Sequence, residues 1–146
     1  MDACLRRHDT ARFWPMSRKI DWQKTVPIWE GNPKIIAAWA FGSAQDGIVR
    51  EGGDVDTAVL TTTPLTFDEQ LTLLGELQAA LQMDDIDLVI LNDANPILRF
   101  EAVSGKRLFC RDLSAMAGFV SLTAREYEDE MAQWQMALEK YSTLRQ

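Results

Sequence analysis

Asp54 and Asp56 stand one residue apart in GGDVDTAVL, where a polar loop gives way to an apolar run. If that run is a strand, side chains two apart share a face, so both carboxylates lie about 6.6 Å apart along it and can converge on one point. Aspartate is a poor strand former, and two on one face followed there by Ala58 and Leu60 require a compensating charge. A divalent cation provides it. Neighbouring carboxylates repel and raise each other's pKa, whereas Mg²⁺ holds both ionised and is commonly bound by one or two carboxylates together with substrate phosphates. Asp87, near the start of the later run IDLVIL, is a third candidate ligand that joins the pair if the two strands are neighbours.

Upstream, IIAAWAF ends on Gly42-Ser43, and the following SAQD reads as a helix start capped by Ser43. A helix N-terminus presents free N–H groups to an anion, the Ser hydroxyl adds a hydrogen bond, and glycine lets backbone come close, which together make a phosphate grip. Each part alone is common. A D-x-D usually sits in a turn, and Asp87 beside Asp84 and Asp85 reads equally as a solvated strand end. Their conjunction is more informative: strand, Gly-Ser, loop, paired aspartates on a strand, and an aspartate on a later strand follow the order that one active site would require.

Apolar patterning supplies the elements that must position these residues. IIAAWAF, residues 35–41, is a short continuous apolar run bounded by turn signals, as for a strand buried on both faces. VDTAVLTT from Val55, IDLVIL over Ile86–Leu91, and KRLFC after Gly105 read as three more strands. Between the second and third, Thr66 and Glu69 form a capping box for a helix with an apolar stripe of Phe67, Leu71, Leu74 and Leu81, completing a strand–helix–strand crossover. The expected fold is α/β, a mixed β-sheet with flanking helices. Ser17 to about Val26 predicts a helix, with Trp22, Val26 and Trp29 at helical spacing and Pro27 ending or kinking it. GNP at 31–33 is a turn, and ILRFEAVSG after Asn95-Pro96 a short helix. A second capping box, Thr123 with Glu126, starts a helix to about Tyr141 whose Tyr127, Met131, Trp134, Leu138 and Tyr141 form a seam for the protein's own sheet or for a partner helix. Residues 1–16 carry no pattern.

At 146 residues the chain fits one domain, 1–146, long enough to bury a core without staples. With 15 basic and 22 acidic residues its net charge is −7, which argues against direct nucleic-acid binding and suits a basic protein partner better. Cys4 and Cys110 match no metal or redox spacing, pointing to a reducing cytoplasm. No apolar run approaches the roughly 18 residues of a membrane span, and MDACLRRHDTARF lacks the apolar segment of a signal peptide, so a cytoplasmic protein without membrane contact is expected. His8 is the only histidine, which leaves triads and histidine metal sites without support. No Walker A loop or dinucleotide fingerprint is present. Trp39 within a buried strand and Trp134 on the helix seam suggest packing rather than base stacking.

Taken together, FGSAQDG and GGDVDTAVL resemble the signature of the nucleotidyltransferase domain of the DNA polymerase beta superfamily. The short chain and spacing most resemble its minimal nucleotidyltransferases, which include antitoxins paired with HEPN-domain ribonuclease toxins. The resemblance covers about residues 35–110, with the helix at about 123–141 beyond it. It implies that Gly42 and Ser43 hold the terminal phosphates of ATP, that Asp54 and Asp56 ligate Mg²⁺, with two ions in all, and that Asp87 helps bind metal and activate the attacking hydroxyl. The implied reaction moves AMP from ATP to a hydroxyl as pyrophosphate leaves, and the implied acceptor is a tyrosine of a HEPN-type toxin. Two departures stand out: Ala44-Gln45 replace the basic residue and alanine that often follow Gly-Ser, and Gly53 replaces a frequent serine. Arg50, Lys106 and Arg107 are candidates for the displaced cation. Two other readings stay open, an enzyme acting on a small-molecule hydroxyl such as an antibiotic's, and a non-catalytic antitoxin that blocks a basic ribonuclease with its acidic surface and C-terminal helix.

Overall fold

A computed structural model of the chain describes residues 17–145. Its strands are β1 (Ser17–Lys19), β2 (Ile35–Phe41), β3 (Ile48–Arg50), β4 (Val55–Thr61), β5 (Ile86–Ile90) and β6 (Lys106–Cys110). Its α-helices are α1 (Val26–Glu30), α2 (Phe67–Leu81), α3 (Pro96–Val103) and α4 (Leu113–Arg145). The two strongest apolar runs, β2 and β4, lie in the middle of a four-stranded sheet ordered β5-β4-β2-β6 and are buried along nearly their whole length. β2 runs antiparallel to both β4 and β6, while β4 and β5 are parallel, joined by the α2 crossover. The expected mixed α/β sheet is thus observed, with helices on both faces.

Alternation along β4 divides its side chains between two cores. Val55 and Val59 face Trp22, Trp29, Leu73, Leu77 and Leu81, which fill the side covered by α2. Ala58 and Leu60 face Trp39, Ala102 and Met116, on the side covered by α3 and α4. Asp56 has the parity of Ala58, so its carboxylate belongs to the α3–α4 side.

Four local expectations need correction. Ser17–Lys19 is a strand paired antiparallel with β3, not the start of a helix. The helical part begins later, as a 3₁₀ turn over Trp22–Thr25 capped by Asp21, and Pro27 opens α1 rather than ending a helix, since a first-turn residue has no intrahelical use for its N–H. The capping box at Thr66 and Glu69 is present, with Glu69 N to Thr66 Oγ1 at 3.1 Å and Thr66 N to Glu69 Oε1 at 2.8 Å, but the buried stripe of α2 is Leu73, Leu77 and Leu81. Of the expected stripe, Leu81 is buried in that core and Leu74 packs against it, whereas Phe67 and Leu71 are 72% and 50% exposed.

The other two corrections concern the C-terminal helix. Thr123 and Glu126 do not cap it; α4 starts ten residues earlier, where Ala115 N donates to Asp112 Oδ1 at 3.0 Å. Thr123 is fully buried in mid-helix, and Glu126 instead meets Arg99 Nη1 at 3.4 Å. Nor does the whole seam dock on the sheet. Tyr127 stacks on Phe100 of α3, but Trp134, Leu138 and Tyr141 are each nearly 60% exposed. Among the described residues no helix is long and apolar enough to cross a membrane. The unpatterned stretch 1–16, including Cys4 and His8, lies outside the described residues.

Candidate active site

The parallel pairing of β4 with β5 sets Asp56 directly opposite Asp87. Two bonds hold that register beside the carboxylates: Thr57 Oγ1 donates to the Asp87 carbonyl at 2.8 Å, and Val55 N donates to the Asp85 carbonyl at 3.0 Å. Asp54 enters from the residue before β4. One carboxylate oxygen from each of Asp54, Asp56 and Asp87 falls within 4.8 Å of the others, with Asp56 partly buried and its companions exposed. The three aspartates therefore do converge.

Gly42 meets the same cluster from β2, whose last residue, Phe41, pairs with Asp56. Its φ of +76° lies in the left-handed region, and a Cβ there would collide with the Asp56 carboxylate. The Gly-Ser turn and the acidic cluster are thus in contact. The expected Ser-capped helix is absent, however. Gly42–Ala44 is a single 3₁₀ turn whose capping position is Phe41, and its side-chain brace is Gln45 Nε2 donating to the Gly42 carbonyl at 3.1 Å. The backbone turn at Gly42 redirects the chain toward β3, so no helix dipole aims at the cluster.

Burial is the main reason the Asp56 carboxyl is pushed up from its ordinary 3.8 to about 6; the charges of Asp54 and Asp87, a hydrogen bond to Asp87 and the charge of Glu101 add to it. Glu101, on α3, is a fourth carboxylate facing the cluster. No sequence signal singled it out, because α3 reaches the site only through tertiary packing. Hard oxygen donors crowded against one another, one of them reluctant to ionise, fit a divalent cation such as Mg²⁺ as a counter-charge. The chain itself brings little positive charge here. Of the three cations considered, Arg50 reaches the Gly-Ser turn, with Nη1 at 3.5 Å from the Ser43 carbonyl. Arg107 points instead to Met116 Sδ, 3.9 Å away, and Lys106 pairs with Ala40 in the sheet.

Two open clefts flank the cluster. One, of about 470 Å³, lies on the α3–α4 side and is walled by Gly42, Gln45, Phe100, Glu101 and Tyr127. The other, of about 410 Å³, is lined by Gly52, Gly53, Asp54, Asp84, Asp85 and Asp87.

Comparison with known proteins agrees with this geometry. Residues 23–114, well over half of the chain, match the family described as polymerase beta, nucleotidyltransferase. Comparison with curated proteins gives no match. A chain of a toxin–antitoxin complex with AMP-PNP is 26% identical, with a TM-score of 0.69 over 84% of this chain and 99% of that one. A chain of a toxin–antitoxin mutant, in which two aspartates one residue apart are changed to glutamate, is 25% identical, with a TM-score of 0.69 over the same shares. A chain of the tri-AMPylated HEPN toxin in complex with MNT antitoxin from Shewanella oneidensis is similar in fold, at 24% identity and a TM-score of 0.63 over 83% of this chain and 96% of that one. The family match spans the Gly-Ser turn and all three aspartates, and with the fold that surrounds them it shows that this chain belongs to the polymerase beta nucleotidyltransferase family.

Proposed function

We propose that the chain, over 1–146, is one nucleotidyltransferase domain that moves AMP from ATP to a tyrosine hydroxyl of a partner HEPN-type ribonuclease toxin, and so acts as its antitoxin. The observation that carries the reading is the convergence of Asp54, Asp56 and Asp87 within 4.8 Å, directly against Gly42. The AMP-PNP bound in one related toxin–antitoxin complex supports the nucleotide, and the paired aspartates altered in another have the spacing of Asp54 and Asp56.

In this reading Asp54, Asp56 and Asp87 hold Mg²⁺, two ions in all, which when bound offset the charge of the triphosphate and of the departing pyrophosphate. Gly42 lets the phosphates approach the backbone, the Ser43 hydroxyl donates to a terminal phosphate oxygen, and Arg50 supplies positive charge beside it. Asp87 accepts the proton of the acceptor hydroxyl. The freed oxygen forms a bond to the α-phosphorus as the bond from that phosphorus to pyrophosphate breaks. The net result is AMP on the acceptor, pyrophosphate in solution and one proton released.

Incubation with the co-purifying partner and Mg²⁺, using ATP labelled on the α- or the γ-phosphate in parallel, tests the reading. Transfer of the α-label alone is expected. Transfer of the γ-label would mark a kinase, and no transfer with ribonuclease inhibition intact would favour a purely binding antitoxin.

A further inference from the structure

Asp87 is held in the sheet from one side only. Asp56 lies on a central strand, set opposite Phe41 of β2 on one side and opposite Asp87 on the other. β5, by contrast, is an edge strand of five residues with β4 as its one neighbour, and Asp87 is its second residue, just past the exposed Asp84 and Asp85. Strand ends are where a sheet opens most readily, and at this end the carboxylates of Asp56 and Asp87 repel each other across the pair when both are ionised. A further tie is therefore of most use to the cluster at this point.

Thr57 makes one. It follows Asp56 on β4, so its side chain turns to the opposite face of the sheet, the α2 side that Val55 and Val59 share, and is fully buried there. Its hydroxyl donates to the Asp87 carbonyl at 2.8 Å, the one hydrogen bond this side chain makes among the described residues. A buried hydroxyl without a partner is costly in such surroundings, so the core around Thr57 enforces the bond. Packing alone does not call for the hydroxyl, since valine has nearly the same shape and suits an apolar strand interior better. The bond also takes hold of the Asp87 backbone from behind, leaving both oxygens of its carboxylate to the cluster.

We propose that Thr57 is a positioning residue, whose hydroxyl fixes the start of β5 against β4 and so keeps the Asp87 carboxylate within reach of a metal ion shared with Asp54 and Asp56. This rests on the proposed Mg²⁺-dependent transfer and adds to it a residue that touches neither metal nor substrate but acts through Asp87 from the other face of the sheet.

Thr57→Val keeps the shape and loses the donor, whereas Thr57→Ser keeps the donor and loses a methyl group, so the pair separates positioning from packing. Four quantities are compared with wild type: Mg²⁺ affinity by calorimetric titration with the metal alone, AMP transfer at saturating ATP, amide exchange at Asp87, and melting temperature in a chelator. Thr57→Val is expected to bind Mg²⁺ about 10-fold more weakly and to transfer AMP about 10-fold more slowly, the lower end of the loss when a group that orients a metal ligand is removed. Its Asp87 amide should exchange faster, while its melting temperature stays within about 3 °C of wild type. Thr57→Ser should melt lower by about 3 °C yet keep near wild-type Mg²⁺ affinity and transfer rate. A residue that only packs would give the reverse order, with serine the more impaired of the two. Wild-type Mg²⁺ affinity and transfer rate in Thr57→Val would overturn the assignment, as would a Thr57→Ser as impaired as Thr57→Val. A wild-type protein that neither binds Mg²⁺ nor moves AMP would overturn the transferase reading itself, a failure visible before any variant is compared.

Discussion

Replacing Asp56 with asparagine is expected to stabilise the metal-free protein at neutral pH while removing its transferase activity. In the fold the Asp56 carboxyl holds its proton up to about 6, against 3.8 ordinarily. Folded protein therefore binds more protons than unfolded chain between these values, so stability falls as pH rises through that window. The cost is absent below about pH 4 and fully developed above about pH 6. At 1.36 kcal/mol per pH unit the ceiling is about 3 kcal/mol, but Asp56 is only partly buried, and solvent screening reduces a realistic figure to about 1 kcal/mol. For a chain of this size that is about 3 °C in melting temperature. Thermal unfolding in a chelator should show Asp56→Asn melting about 3 °C above wild type near pH 7.5, with the difference gone near pH 4. Added Mg²⁺ should raise wild type substantially and the variant far less. An asparagine variant that melts below wild type in chelator at pH 7.5 would refute the idea that the cluster is electrostatically strained.

Other consequences are open to direct measurement. Gly42→Ala forces a left-handed φ on a residue with a Cβ and drives that Cβ into the Asp56 carboxylate; it is expected to cost about 1–2 kcal/mol by urea denaturation and to lower AMP transfer at least about 10-fold. Thr66→Ala removes the capping box at the end of β4 remote from the aspartates, so the urea midpoint should fall by the equivalent of about 1 kcal/mol with the transfer rate unchanged. Trp134→Ala alters a side chain 59% exposed, and stability of the isolated protein should stay within about 0.5 kcal/mol of wild type.

What could be read from the chain was whatever is encoded locally. IIAAWAF and VDTAVLTT become central strands because continuous apolar runs of that length leave few alternatives, and the Thr66–Glu69 box closes as written because all of its atoms lie within one turn. The same motif misleads at Thr123 and Glu126, since residues three apart are neighbours on any helix. There Glu126 serves Arg99, while Asp112 makes the cap. β1 and β3, three residues each, are too short for alternation to register. At the site, residue types and spacing identified the three aspartates and the Gly-Ser turn, whereas their convergence depended on a parallel pairing that no single segment encodes. The backbone turn at Gly42, the approach of Glu101 and the Phe100–Tyr127 wall arise from contacts between distant elements, which is why the cleft had no trace in the sequence.

In the proposed reaction Asp54 and Asp56 do chemistry on a partner protein. The most direct test is to co-express the chain with its partner, then compare AMP modification of that partner by intact-protein mass spectrometry for wild type and Asp54→Asn/Asp56→Asn, with ribonuclease activity followed alongside. AMP on the partner and a silent ribonuclease are expected with wild type, and an unmodified, active one with the double variant, even where the two proteins still associate. An unmodified partner that is inhibited equally by both would contradict the proposed reaction.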